Sequence, residues 1–320
     1  MTALRDLLEL VRAPAALSVP GDVTAGAAAG RTLGPRTLGL ACSSVCLYWA
    51  GMAANDWADR HLDATERPER PIPSGRVRPG TALGVAAGLT AAGLTTAALS
   101  GGRRALAVAV PLAGAIWAYD LVAKNTRAGP LVMALCRGLD VLLGATPAPA
   151  PAPRHPAADS ARGPTPRRPS LGDALSTTLP TGRGAGPFAA LPAALTVAAH
   201  TYLLTDLSRG ETSGTTRHRP AATLTGTLAL AATTAYHPSG KSPAPAVLAG
   251  WYASQFATPQ ARAVADPSAG QVRDAVTAGI VSLPALQGAL VARAGAPRIG
   301  LALAAVVPLA RRLARKLSPT

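Results

Sequence analysis

The chain has 320 residues, 48% of them hydrophobic and only 15% charged, with a mean hydropathy of +0.24 and a formal net charge of +15. Soluble domains carry about a quarter charged residues, so this composition argues against a soluble all-α bundle and for a membrane protein. The basic balance does not call for nucleic acid, because Arg sits in short loops between apolar runs. We expect no nucleic-acid partner.

The first twelve residues set Asp6 and Glu9 beside Arg5 and Arg12, which does not fit a cleaved signal peptide. Apolar blocks follow near 14–33, 37–55, 80–100, 103–120, 130–146, 186–206, 220–237, 243–262, 274–293 and 297–312. Each is close to the length a helix needs to cross a bilayer, and many are rich in the Ala and Gly that let helices pack closely in lipid. The weakest is 243–262, which carries Gln255 and Gln260. The expectation is one all-α, polytopic membrane bundle of nine or ten spans. Cys42, Cys46 and Cys136 fall inside apolar blocks and read as packing residues, not as a disulfide framework or zinc site.

The second block runs into Asn55-Asp56-Trp57-Ala58-Asp59-Arg60-His61-Leu62-Asp63, and five of the sixteen acidic residues lie between Asp56 and Glu69. Ionisable groups at membrane depth are expensive and mark function by default. On a helix, Asp56, Asp59 and Asp63 share one face, and Asn55 lies one turn from Asp59. Such close carboxylates repel and require positive charge among them. Oxygen-only donors suit a hard cation, and Mg²⁺ typically takes one or two carboxylates plus substrate phosphates. Arg67 and Arg70 could hold the rest of a phosphate group. Pro71 and Pro73 stop the acidic helix and Ser74-Gly75 makes a turn.

Further along come Tyr119-Asp120 with Lys124, then Arg137 inside a block with Asp140 three positions on, where a structural ion pair is as good a reading as substrate contact. Residues 147–185 open on four alternating prolines and read as an extended or disordered loop insert with no catalytic role. Residues 200–219 bring His200, Tyr202, Asp206, Arg209 and Glu211. His200 reads as a packing or hydrogen-bonding group more than a base. Tyr119, Tyr202 and Trp57 could face a cation path, though anchoring at the interface is the commoner role. With the N-terminus inside, Lys and Arg favour the inner loops modestly, and the basic 311–316 tail favours an even number of spans. Loops 55–79, 119–129 and 200–219 then face one side and imply one shared site there.

Asn55-Asp56-x-x-Asp59-x-x-x-Asp63 followed by Arg70-Pro71-x-Pro73, placed after the second span, resembles the UbiA superfamily of intramembrane prenyltransferases. The run 66–75 and Tyr119-Asp120 with Lys124-Asn125-Thr126 look most like its EboC-like branch. The resemblance implies a helical bundle around a central cavity. It implies Mg²⁺-dependent transfer of an isoprenoid from a prenyl diphosphate donor to a small acceptor, aromatic or cyclitol-like, within the lipid bilayer. Asn55, Asp56, Asp59 and Asp63 would hold Mg²⁺, with Asp56, Asp59, Asp63 and Lys124 as the catalytic set. Arg67, Arg70, Lys124, Arg137, Tyr119, Tyr202 and Arg209 would contact substrate. The family's second acidic motif, Asp-x-x-x-Asp, is altered here to Asp206 and Glu211, which diverge by roughly 140° on a regular helix. Both could be metal ligands if the helix ends between them, which Gly210 allows. The competing functions are phosphoribosyl-type transfer to a polyprenyl phosphate, and isoprenoid binding or transport without catalysis. The Ala, Arg, Gly and Pro bias points to a GC-rich bacterium and so to its cytoplasmic membrane, with the acidic motifs on the cytoplasmic side. Acceptor identity, chain length and oligomeric state are not legible.

Overall fold

The computed structural model describes residues 4–12, 18–147, 186–236 and 242–308. The described residues form helices α1 (Leu4–Leu10), α2 (Val19–Ala29), α3 (Pro35–Ala58), α4 (Arg60–Glu66), α5 (Pro79–Ala118), α6 (Gly129–Gly144), α7 (Gly186–Ser208), α8 (His218–Ala235), α9 (Ala244–Ala265), α10 (Ala269–Arg293) and α11 (Pro297–Ala304), and no strand. Pro35, Pro79 and Pro297 open their helices, where the missing N–H costs nothing and the fixed φ is already helical. The proline-rich insert, the outside turn expected at 236–241 and the basic tail lie outside the described residues, apart from Pro147 and Tyr236 at their edges.

Each apolar block overlaps a helix among the described residues. Among the described residues, four stretches are long and apolar enough to cross a membrane: Pro35–Ala58, Pro79–Ala123, Gly186–Ser208 and Ala269–Arg293. The blocks at 80–100 and 103–120 lie on the single helix α5, which breaks at Gly102 (φ 62°, ψ −154°). Trp117 Nε1 donates to Thr90 Oγ1 at 3.1 Å. Twenty-seven residues of straight helix would hold those groups about 40 Å apart, so α5 is a hairpin of two limbs. Only glycine adopts that backbone at Gly102 without strain.

The limbs of α5 pack on α3, and α2 and α6 complete one half of the bundle; α7 to α10 form the other. The halves meet where α6 packs on α7 and where α2 packs on α7 and α10. Helices α2 and α6 approach closely enough at two glycines for backbone to meet backbone. A Cβ on Gly26 would lie 1.7 Å from the Val141 carbonyl oxygen, and one on Gly144 would lie 1.9 Å from that of Val23. Such close approach is what small residues contribute in lipid, where helix association rests on packing. His200, as its apolar setting suggested, is a core group: Nδ1 lies 2.8 Å from the Tyr252 hydroxyl, and Phe256 packs edge-on.

Candidate functional site

The acidic motif straddles a break in the helix. Helix α3 ends at Ala58 and α4 begins at Arg60, yet the hydrogen-bond ladder continues through Asp59 N to Asn55 O (2.9 Å) and Asp63 N to Asp59 O (2.8 Å). The shared face expected for Asp56, Asp59 and Asp63 is therefore kept across the joint. Asp56 and Asp63 are buried, and Asp59 is partly open.

Each of these carboxylates meets a cation. Arg70 Nη1 donates to Asp63 Oδ2 at 2.6 Å and reaches Asp56 Oδ1 at 3.5 Å, so one guanidinium bridges two buried acids. Lys124 Nζ donates to Asp59 Oδ1 at 2.6 Å and to Asn55 Oδ1 at 3.0 Å. It is delivered by one π-helical turn, 119–123, where Lys124 N bonds Tyr119 O; such turns recur at functional sites. Arg67 is exposed and stands 4.0 Å from Asp63, which makes it a weak surface partner.

Two members of the site carried no role in the sequence reading. Arg12 comes from the segment after α1, and its Nη2 donates to Asp56 Oδ1 at 2.8 Å. Helix α1 is tied down by Arg76, which binds both Glu9 oxygens (2.8 and 2.9 Å) and Asp6 (2.8 Å). The Arg76 hydrogen bond holds the Glu9 carboxyl below its ordinary range. The other is Asp120, buried beside Gly51 and making no ion pair among the described residues. Its signal was local: a carboxylate at the end of an apolar block, five positions after Ala115.

Behind the acids lies a cavity of about 220 Å³ lined by Arg12, Asn55, Asp120, Tyr119, Ile116 and Met133, among others. Tyr119 thus takes the cavity-facing place expected of it. Tyr202 does not: it is exposed on α7 and is absent from this wall. Trp57 packs with Leu10, Ile72 and Val77, its ring 4.8 Å from the Arg60 guanidinium. Arg137 pairs not with Asp140 but with Asp22 on α2, Nε to Oδ2 at 2.7 Å, while Asp140 accepts from Ser44 Oγ at 2.5 Å. Helix register placed Asp140 near Arg137; α2 brings a better-placed acid from far away in the chain.

Helix α7 ends at Ser208, between Asp206 and Glu211, as two acids five apart require. They do not join the first motif in a single cage. Asp206 stands 3.8 Å from Arg219, and among the described residues no three His, Cys, Asp or Glu side chains are grouped to hold a metal. Burial pushes the Glu211 carboxyl up, and Arg273 and Arg67 pull it back. Arg209 Nη2 donates to the Thr126 carbonyl. The Lys124–Asp59, Arg209–Thr126 and Glu211–Arg67 approaches bring loops 55–79, 119–129 and 200–219 to one end of the bundle. The first motif fits Mg²⁺ in its donor chemistry: amide and carboxylate oxygens only, with three cations at hand for phosphate.

Residues 17–157 match the family model of the UbiA prenyltransferase family. Over that stretch, somewhat under half of its length, the chain is similar to the UbiA prenyltransferase family. It is 36% identical over 158 residues to digeranylgeranylglyceryl phosphate synthase of Methanopyrus kandleri, covering 47% of this chain and 56% of that one. It is 33% identical over 161 residues to the bacteriochlorophyll synthase 33 kDa chain of Cereibacter sphaeroides, covering 47% and 52%. The chain thus spans about half the length of these relatives. A UbiA homolog from Archaeoglobus fulgidus, solved bound to DMAPP and Mg²⁺, superposes with a TM-score of 0.52 at 14% identity, over 94% of this chain and 99% of that one. That likeness is one of fold, and it extends the UbiA architecture beyond the matched half. These relatives speak to the superfamily and not to the EboC-like branch.

Proposed function

We propose that this chain is a Mg²⁺-dependent intramembrane prenyltransferase that moves an isoprenoid from a prenyl diphosphate to a small acceptor. The observation that carries it is the meeting of Asn55, Asp56, Asp59 and Asp63 with Arg12, Arg70 and Lys124, beside a cavity that Asn55 and Arg12 help to line. The relatives named as synthases and the DMAPP and Mg²⁺ bound by the Archaeoglobus protein support it. The reading includes one membrane domain over 1–320 with nine or ten of the apolar blocks as spans. It places the acidic loops on the cytoplasmic side of the cell membrane and the chain in the EboC-like branch.

Mg²⁺ held by Asn55, Asp56, Asp59 and Asp63 would neutralise the diphosphate and make it a better leaving group. The remaining work falls to the chain. Arg12, Arg70 and Lys124 offer donors to phosphate oxygens as the C–O bond breaks and its electron pair leaves with the diphosphate. The apolar walls of the cavity keep water from the electron-poor allylic carbon, and the ring of Tyr119 offers it a π face. The acceptor then bonds to that carbon and gives up a proton.

Donor competition tests this. Purified protein should release diphosphate from geranyl, farnesyl or geranylgeranyl diphosphate and not from phosphoribosyl diphosphate; the reverse preference would establish the glycosyl-type reaction instead. A second reading, isoprenoid binding or transport without catalysis, is favoured by the pairing of Asp206 with Arg219. Mg²⁺-dependent binding of a prenyl diphosphate with no turnover across acceptors would establish it.

A further inference from the structure

The cavity at the acids adjoins a second one. This space of about 160 Å³ shares Tyr48, Met52 and Met133 with the first and adds Val11, Val19, Trp49 and Arg137. We propose that this second space is the acceptor's subsite, and that Tyr48 and Arg137 recognise an uncharged oxygen on a single-ring molecule. The proposal rests on the prenyl-transfer reading and adds to it a location and a charge preference.

The polar end of the cavity is built and held. Arg137 is 6% exposed. Its Nε lies 2.7 Å from Asp22 Oδ2, and Asp22 Oδ1 accepts from Gln287 Nε2 at 2.6 Å. The guanidinium lies 5.5 Å from the centre of the Tyr48 ring. Neither Arg137 Nη2 nor Tyr48 Oη makes a hydrogen bond of good geometry, although both atoms are buried. A buried donor left unmet costs about 1–3 kcal/mol, and native structures keep few of them without a reason. Here the two stand in the wall of one cavity, where a bound oxygen would satisfy both.

A hydrocarbon tail would leave them unmet. It has a better place in the open groove of about 380 Å³ lined by Leu7, Leu8, Val85 and Leu89, whose wall is entirely apolar. An anion is also a poor occupant. The single positive charge of Arg137 is already paired with the fully buried Asp22, Nε to Oδ2 at 2.7 Å, and a bound anion would meet that carboxylate's repulsion with no free cation to offset it. A neutral hydroxyl or carbonyl oxygen meets the Arg137 donor without that repulsion. For size, an apolar cavity of about 150 Å³ is known to hold benzene, so one ring fills this space. That ring would stand next to the cavity where the isoprenoid's reactive end meets Asn55 and Asp120.

The test uses the full chain in detergent at pH 7, with no prenyl donor and no Mg²⁺, and isothermal titration with p-cresol and with 4-hydroxybenzoate. p-Cresol should bind at least tenfold more tightly. Tyr48→Phe should weaken it on the order of five- to tenfold, the value of one hydrogen bond, while keeping a cooperative melt that shows the bundle intact. Met133→Trp should fill the space and abolish binding. Equal or tighter binding of the carboxylate, or an unchanged affinity in Tyr48→Phe, would overturn the proposal. Because no donor is present, failure here leaves prenyl transfer standing. A chain that releases no diphosphate can still show the acceptor preference.

Discussion

Removing Arg70 isolates the electrostatics of the acidic motif. Its guanidinium is 2.6 Å from Asp63 and 3.5 Å from Asp56, and both carboxylates are less than 5% exposed. Charges about 4 Å apart interact by about 4 kcal/mol at an effective dielectric near 20. Desolvation takes part of this back, but removing one partner of a buried pair still costs about 3–5 kcal/mol because the other charge is stranded. Arg12 continues to meet Asp56 and only the exposed Arg67 stands near Asp63, so we expect Arg70→Gln to cost about 3 kcal/mol, the low end of that range. At roughly 2 °C per kcal/mol for a chain of this size, the protein should melt about 6 °C lower in detergent. Excess Mg²⁺ should restore part of the loss by taking the cation's place. Arg67→Gln is the control, since its half-exposed guanidinium reaches Asp63 only at 4.0 Å, too far for a hydrogen bond, and should cost under about 1 kcal/mol. Equal melting of the two variants, or no recovery with Mg²⁺, would refute the idea that Arg70 neutralises a cation site.

Lys124→Ala should lower kcat/KM for the prenyl diphosphate on the order of a hundredfold, as for a donor placed at developing negative charge; steady-state diphosphate release measures it, and a change confined to stability would contradict it. Gly26→Ala should cost about 1–3 kcal/mol by overpacking against Val141, read as a lower melting temperature, and a wild-type melt would mean that α2 and α6 separate freely. The docking of α1 should depend on pH. Arg76 depresses the folded Glu9 carboxyl below its ordinary value near 4.5, so its contribution is present above that value and is lost as pH falls through the lower, folded one. Protease cleavage near Leu8 should rise only at the acid end of a titration from pH 7 to 3, and a rise near neutrality would contradict the clamp.

The helices and the acidic motif were legible because both are local patterns. Apolar runs overlap helices among the described residues, four of them of span length, and Asp56, Asp59 and Asp63 kept one face through an interrupted helix. What escaped was set by contacts distant in sequence. Arg12 finds Asp56 across 44 positions, and nothing in the period of either segment records the other. Arg137 chose Asp22 over the neighbouring Asp140 for the same reason. The two blocks around Gly102 were separable, but their union in one helical hairpin depended on a single left-handed glycine. Tyr202 is exposed on α7 and does not line the cavity at the acids.

The central claim is that the first acidic motif and Mg²⁺ together drive diphosphate release. The most direct measurement is release from geranylgeranyl diphosphate, with and without Mg²⁺, by wild type and by the double variant Asp59→Asn, Asp63→Asn. Release that requires both the metal and the two carboxylates is the expected result. Release that persists in the variant, or that proceeds at the same rate in chelator, would contradict the account.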